Sequence, residues 1–297
     1  MSITPRERRS ATDETGRSRD RNRPPAPEPL PSPVTDTHCH LDVADGEDGD
    51  EFSPEQALRA AAAVGVSRVV QVGCDLPGSA WAIEAAQRHP NVVATVAVHP
   101  NEAPRLAARG ALDDALAEID RLAGSSDRVR GVGETGLDHF RTGPAGRAAQ
   151  EESFRVHIEI ARRRDLALVI HDRDAHEDVL RVLEDADLPR RVVFHCFSGD
   201  VEIARRCAER GWFLSFAGPV TFKNAGGLRS ALSVTPVDNV LVETDSPFLT
   251  PHPYRGRPNA SYLVPVTVRA IAEVLRMDLE TACRTLQANT DRAFGTW

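Results

Sequence analysis

From residue 34 onward the chain alternates short apolar runs with longer segments in which apolar residues recur every three or four positions. The short runs are rich in Val and Ile, which is typical of buried strands, and the longer segments have the spacing of amphipathic helices. Strands are predicted at 34–37, 66–73, 92–98, 129–133, 166–170, 191–194, 211–216 and 240–242. Helices are predicted at 80–88, 112–122, 148–164, 175–185, 202–210 and 224–232, and another begins at Ser53, a capping residue followed by Pro54 and Gln56.

Strands that alternate with helices favour a parallel sheet with crossover helices. Eight candidate strands are the number that a TIM (β/α)₈ barrel requires. The alternative is an open doubly wound sheet, but no Gly-rich phosphate-binding turn follows the first strand. The sequence therefore predicts an α/β protein whose residues 34–297 form one TIM barrel.

The first 33 residues have a different composition. They contain seven prolines and many Arg and Ser residues, with few large aliphatic side chains to offset the entropy of ordering. We therefore expect residues 1–33 to be a disordered Arg/Pro-rich tail.

The apolar runs, the cysteines and the net charge indicate in which compartment the protein works and what it binds. The chain is 41% hydrophobic, yet no apolar run approaches the roughly 18 residues that span a bilayer. Its five cysteines are scattered without paired spacing, which favours a reduced, cytoplasmic setting with no membrane association. The net charge of −8 excludes a generally basic nucleic-acid-binding surface, although a local basic patch is compatible with it.

Residues that commonly bind metal ions follow five of the predicted strands. The carboxyl ends of parallel strands in a barrel point to one face, so these side chains are expected to converge there. The six residues are His38, His40, Glu134, His171, His195 and Asp245.

Their combination predicts a metal site, although a single histidine after a strand is more often structural. His38 and His40 are two apart and share a face, while Cys39 turns away, and Cys39 and Cys196 are interpreted as small core residues. Imidazoles and carboxylates suit Zn²⁺, Mn²⁺ or Mg²⁺. Four histidines and two carboxylates exceed the needs of one tetrahedral ion, which indicates two divalent ions with Glu134 between them.

Five segments, taken in order along residues 34–297, resemble the signature blocks of the TatD family of metal-dependent hydrolases. They are DTHCHLD (36–42), GETGLD (133–138), VIHDRDAHED (169–178), FHCFSG (194–199) and ETDSPFL (243–249). The resemblance implies a TIM barrel and a divalent-metal-dependent DNase of the 3′→5′ exonuclease kind, with single-stranded or frayed DNA as its substrate. No stable protein partner is predicted.

The resemblance also implies roles for individual residues. One ion would be held by His38, His40 and Asp245, and the other by His171 and His195. Glu134 would bind both ions. Glu134 and Asp245 would be catalytic, with Asp245 accepting a proton from the attacking water. Loop residues on the same rim are candidates for phosphate contact, although an ordinary loop histidine or solvated loop charges would explain them equally well: His99, Lys223, Arg255, Arg257 and Asn259. His139 is a candidate for lining the mouth.

Three departures from the family pattern concern the nucleic-acid preference. The loop at 257–261 lacks the usual Glu, Asp172 replaces a common Ser, and an acidic insertion at 45–51 would repel a polyanion unless it orders elsewhere or meets a cation. An amidohydrolase or lactonase acting on a small C–N or C–O ester is the sibling hypothesis. Such enzymes often use a carboxylated lysine on the fourth strand, whereas the only lysine of this chain is Lys223. A non-catalytic barrel that binds partners is the third hypothesis.

Overall fold

The computed structural model describes residues 6–7, 19–46 and 52–297. Eight parallel strands form one sheet in which each strand pairs with the next along the chain. They are β1 Val34–Cys39, β2 Val66–Val72, β3 Val92–Val96, β4 Val129–Asp138, β5 Ala167–Arg173, β6 Val192–Phe194, β7 Phe213–Phe216 and β8 Val240–Val242. All eight predicted strands are confirmed, and the fold is the predicted TIM barrel.

The sheet closes just beyond the last strand. The Asp245 amide donates to the His38 carbonyl at 2.9 Å, and the His40 amide donates to the Ser246 carbonyl at 2.8 Å. The barrel is therefore closed through the residues that also carry the predicted ligands.

Ten α-helices in the described part of the chain surround the strands. They are α1 Pro54–Ala63, α2 Leu76–Arg88, α3 Ala103–Ala107, α4 Leu112–Ala123, α5 Pro144–Arg163, α6 His176–Glu184, α7 Val201–Glu209, α8 Gly226–Val234, α9 Val264–Leu275 and α10 Leu279–Phe294. Short 3₁₀ helices occupy Gly218–Thr221, Val237–Asn239 and Ser261–Leu263. The capping box at Ser53 and Gln56 is confirmed, whereas α3, α9 and α10 are additional to the predicted helices. No described helix combines the length and apolar character needed to traverse a bilayer.

Alternate strand residues belong to two separate apolar clusters. Val69, Leu168 and Ile170 belong to the larger cluster that includes helix residues, while Val70 and Val169 belong to a smaller one. The smaller cluster includes Phe294 from the end of α10. This alternation is the period of two expected of strands whose two faces are both buried.

Residues 19–33, which we call the N-terminal strap, follow an ordered course along the barrel. The Leu30 amide donates to the Val64 carbonyl at 3.0 Å, and the Tyr262 hydroxyl donates to the Pro24 carbonyl at 2.6 Å. The Arg269 guanidinium donates to the Glu28 and Pro29 carbonyls. The prediction of disorder is therefore wrong for 19–33, because these backbone carbonyls have partners on the barrel, and the rest of the predicted tail lies outside the described residues except for the backbone of 6–7.

The start of the acidic insertion meets cations from this strap. Arg19 donates to the Asp45 carboxylate, and Arg23 donates to the Asp45 carbonyl. The Arg19 and Asp45 side chains are almost fully buried. The charge of Asp45 is thus compensated within the molecule, while 47–51 lie outside the described residues.

Candidate metal centre

His38, in β1, and His40, just after it, lie at the carboxyl end of the barrel and are held there by Asp36. The Asp36 carboxylate accepts hydrogen bonds from the Thr244 amide at 2.9 Å and the Thr244 hydroxyl at 2.6 Å, which tie β1 to the segment after β8. His40 Nε2 lies 3.3 Å from Asp245 Oδ1, and His38 Nε2 lies 3.7 Å from the same oxygen. These three predicted ligands are therefore brought together.

Glu134 lies in the middle of the cluster and faces two groups of side chains. Its Oε1 atom is 3.8 Å from both His38 Nε2 and His40 Nε2. Its Oε2 atom is 2.8 Å from His195 Nε2 and 3.2 Å from His171 Nδ1. The two oxygens of one carboxylate thus point to histidines of the two ligand groups that the family resemblance implies.

Glycine allows β4 and β5 to approach closely at this point. Gly133 has a φ of +153°, and a Cβ there would lie 2.5 Å from the Val169 carbonyl oxygen. A Cβ on Gly136 would lie 2.2 Å from the His171 carbonyl oxygen. A side chain at either position would push the strands apart and separate Glu134 from His171.

Two buried carboxylates orient the histidines of the second group. Asp138 Oδ2 lies 3.3 Å from His171 Nε2, and Glu243 Oε1 lies 3.3 Å from His195 Nδ1. Outer carboxylates of this kind fix the orientation of a metal-binding imidazole and increase its basicity. Neither residue was among the predicted site residues, although Asp138 ends β4 and Glu243 directly follows β8.

Cys74 also belongs to the cluster and was missed. Its thiol donates to Glu134 Oε1 at 3.2 Å, and its sulfur lies 3.8 Å from His40 Nδ1. It follows β2 by two residues, so the rule that ligand-type residues follow strands would have found it. Cys39 is a buried core residue as predicted and donates to the Val70 carbonyl at 3.5 Å, whereas Cys196 is only partly buried.

The electrostatics of the cluster favour a neutral His38 and an ionised Glu134, whereas neighbouring carboxylates outweigh burial and raise the pKa of His40, His171 and His195. Burial lowers the pKa of His38 well below its usual range, and the neighbouring His195 lowers it further. Burial would raise the pKa of Glu134, but the surrounding imidazoles, His195 and His99 above all, bring it well below its usual range. A neutral imidazole and an ionised carboxylate are the states required of metal ligands.

The fit of a metal ion is indicated by the unpaired nitrogens of His38. The residue is fully buried, and among the described residues neither its Nδ1 nor its Nε2 atom has a hydrogen-bond partner. A buried polar atom without a partner costs about 1–3 kcal/mol, so native proteins normally satisfy it. In the described part of the chain, four sets of three residues place their ligand atoms within 4.8 Å of one another, which suits a divalent ion: His38, His40 and Asp245; His99, Glu134 and His171; His38, His195 and Glu243; and His40, Cys74 and Glu134.

The predicted substrate-contact residues divide into two classes. His99 belongs to the cluster, with Nε2 3.9 Å from Glu134 Oε2 and Nδ1 accepting from the Asn101 amide at 3.0 Å. Lys223 and Arg255 are exposed, and the Arg255 guanidinium lies 4.8 Å from the Phe222 ring centroid. His139 is mostly buried, and its Nδ1 lies 3.8 Å from Asp178 Oδ2.

Asn259 and Arg257 require corrections. The Asn259 amide donates to the Thr244 and Phe248 carbonyls and accepts from the Ala260 amide, and the residue is only 3% exposed. The Arg257 guanidinium donates to the Asn22 and Arg23 carbonyls, both at 2.8 Å. The Asn259 side chain holds the loop after β8, and the Arg257 side chain holds the N-terminal strap. Neither contact can be inferred from the sequence alone.

Comparison with known proteins places the chain in one family. The family model "TatD related DNase" matches residues 35–295. The chain is 42% identical to "Uncharacterized metal-dependent hydrolase TatD" of Mycobacterium tuberculosis over 88% of this chain and 97% of that protein. It is 37% identical to the Bacillus subtilis metal-dependent hydrolase YabD over 87% and 98%. The crystal structure of the TatD homolog YJJV from Escherichia coli superposes with a TM-score of 0.80 at 26% identity, covering 89% of this chain and 98% of that one.

Proposed function

We propose that this chain, which belongs to the TatD-related DNase family of metal-dependent hydrolases, hydrolyses phosphodiester bonds of single-stranded or frayed DNA from the 3′ end. The observation that carries the proposal is the position of Glu134, whose Oε1 atom faces His38 and His40 and whose Oε2 atom faces His171 and His195. That arrangement suits a pair of cations, which in-line displacement at phosphorus commonly uses.

The donor set fits two divalent ions such as Mg²⁺, Mn²⁺ or Zn²⁺. The first would be held by His38, His40 and Asp245, the second by His171 and His195, and Glu134 would serve both. Bound there, the ions would supply polarisation of a phosphate oxygen and activation of the attacking water.

Asp245 is the proposed proton acceptor. Its side chain is 15% exposed, so it reaches the solvent at the mouth while its Oδ1 atom stays 3.3 Å from His40 Nε2. The backbone at Asp245 has a φ of +53° and donates to the His38 carbonyl, which fixes where the carboxylate lies. A carboxylate that is both anchored and solvent-accessible can take a proton from water and release it to solvent.

The exposed cations of the rim are the proposed phosphate contacts. Lys223 and Arg255 are both exposed, and Arg255 packs on the ring of Phe222, the residue before Lys223. Two positive charges from neighbouring loops can contact the phosphates of a strand whose cleaved bond lies at the mouth. His99, whose pKa burial lowers to about 3, would remain neutral and orient the reacting phosphate as a hydrogen-bonding group.

The small-ester hypothesis gains no support from the position of the only lysine. Lys223 is an exposed residue after the 3₁₀ helix Gly218–Thr221, far along the chain from β4, where Glu134 stands. A carboxylated lysine bridge is therefore not available in β4.

The deciding experiment compares nucleotide release from a 3′-labelled single-stranded oligonucleotide with turnover of a panel of lactones. The proposal expects metal-dependent release of labelled nucleotides by the wild type, at least a hundredfold less release by Asp245→Asn, and no turnover of the lactones. DNA binding by metal-loaded protein without cleavage, unchanged by Asp245→Asn, would instead favour the non-catalytic barrel.

A further inference from the structure

Phe140 is a large aromatic side chain that the fold does not bury. It is 61% exposed, and the only other large hydrophobic residue exposed to a comparable degree in the described chain is Val237 at 41%. It lies two residues beyond the end of β4, on the same side of the barrel as the ligand cluster. Core packing therefore does not account for this ring.

The turn that carries Phe140 is joined to a proposed metal ligand by one carboxylate. Asp138 Oδ1 accepts from the Arg141 amide at 2.8 Å and so closes the turn, while Asp138 Oδ2 lies 3.3 Å from His171 Nε2. The His139 amide donates to the Arg173 carbonyl at 2.9 Å. Phe140 is thus held in a fixed relation to the centre.

Arg173 covers part of the Phe140 ring. Its guanidinium carbon lies 4.0 Å from the ring centroid, within the range of a cation–π contact. Arg173 ends β5 two residues after His171, a rise of about 7 Å along the strand, and therefore lies at the same rim. The contact leaves most of the ring open to solvent and adds a positive charge beside it.

A flat aromatic surface beside a cation is the pair of features with which proteins bind single-stranded nucleic acids. Bases stack on aromatic rings with little regard to sequence, and arginine attracts the phosphate backbone. The open area of the Phe140 ring is of the right shape for one nucleobase, and the rim position suits a nucleotide next to the phosphate at the centre.

We propose that Phe140 and Arg173 form a nucleobase-stacking subsite at the mouth of the barrel, which binds one base of a single-stranded nucleic acid. The subsite rests on the proposed nuclease function for its role in catalysis, but stacking itself is measurable without cleavage.

The test uses the full chain with Phe140→Ala, Phe140→Trp and, as the matched control, Val237→Ala, which removes the other exposed hydrophobic side chain. Stacking on an aromatic ring predicts a KM for a single-stranded oligonucleotide raised about tenfold or more in Phe140→Ala, with kcat within twofold. Phe140→Trp should retain the wild-type KM because it retains the ring. An oligonucleotide with abasic sites next to the cleaved bond should be hydrolysed equally by wild type and Phe140→Ala.

A second measurement separates this subsite from the nuclease proposal. An oligonucleotide carrying 2-aminopurine should lose fluorescence on binding to the wild type and to Val237→Ala, and much less on binding to Phe140→Ala. If quenching behaves so but no cleavage occurs, the subsite stands and the nuclease proposal fails. If Phe140→Ala and Val237→Ala quench and cleave alike, the subsite is overturned, and Phe140 is an ordinary exposed side chain.

Discussion

Glu243 provides a sharp test of how the centre is built. The residue is fully buried, and its Oε1 atom accepts from the Cys196 amide at 2.8 Å and lies 3.3 Å from His195 Nδ1. Changing Glu243 to Gln removes the negative charge beside His195 but keeps an oxygen that can accept from the amide. Because burial raises the pKa of Glu243, a neutral amide at this position should not destabilise the fold.

The expected loss of metal affinity can be worked in two ways. Removal of an outer partner of a metal-binding histidine typically lowers affinity 10–100-fold, which is about 1.4–2.8 kcal/mol. A hydrogen bond to a charged group contributes about 1.5–3 kcal/mol net, which is a similar figure. Asp138→Asn should act in the same way through His171, because Asp138 Oδ2 lies 3.3 Å from His171 Nε2.

The assay is a competition titration of Zn²⁺ or Mn²⁺ against a chelating indicator. We expect Glu243→Gln to raise the dissociation constant of one ion 10–100-fold and that of the other less than threefold. Glu118→Gln is the matched control, since Glu118 is an exposed carboxylate bonded only to Arg121 among the described contacts. Equal weakening of both ions, or no weakening of either, would refute the division of the centre into two halves.

Three further predictions follow from the contacts. Burial lowers the pKa of His157 to about 4, so the unfolded chain binds the extra proton between about pH 4 and 6.5, and His157 should contribute about 2 kcal/mol to the fall in the free energy of unfolding from pH 7 to pH 5 in urea titrations. The free energy of unfolding of His157→Gln should lack that part of the decline. Identical pH dependence of the free energy of unfolding in wild type and variant would contradict the prediction. Arg257→Ala should speed trypsin cleavage within the N-terminal strap and leave kcat/KM on DNA within twofold, because Arg257 holds the Asn22 and Arg23 carbonyls. Arg255→Ala should raise the KM for DNA several-fold and leave the rate of trypsin cleavage in the strap unchanged. A raised KM in Arg257→Ala and faster cleavage in Arg255→Ala would show that the two arginines were wrongly assigned.

The fold was predictable because its signal is local. Runs such as 240–242 are apolar at every position, as expected of a strand buried on both faces, and the helices between them have helical spacing. The convergence of His38, Glu134 and His195 was predictable as well, because a parallel barrel places every strand end at the same rim.

The misassigned residues depend on contacts that are distant in sequence. Asn259 and Arg257 are polar loop residues near the mouth, and only the tertiary structure shows that their side chains donate hydrogen bonds to backbone carbonyls. The strap has the composition of a disordered segment, but its carbonyls find donors on Tyr262 and Arg269, more than 230 residues away. The composition of a segment indicates whether it can fold by itself, but not whether it packs against a folded barrel.

The most direct test of the account is the metal content of purified wild type and Glu134→Ala, measured by mass spectrometry after equilibration with the same divalent ion, with circular dichroism to show that both are folded. We expect two ions per chain in the wild type and a clear loss of bound metal in the folded variant, because Glu134 faces histidines of both proposed ligand groups. A folded Glu134→Ala protein with the wild-type metal content would contradict the assignment of Glu134 as the carboxylate shared by two ions.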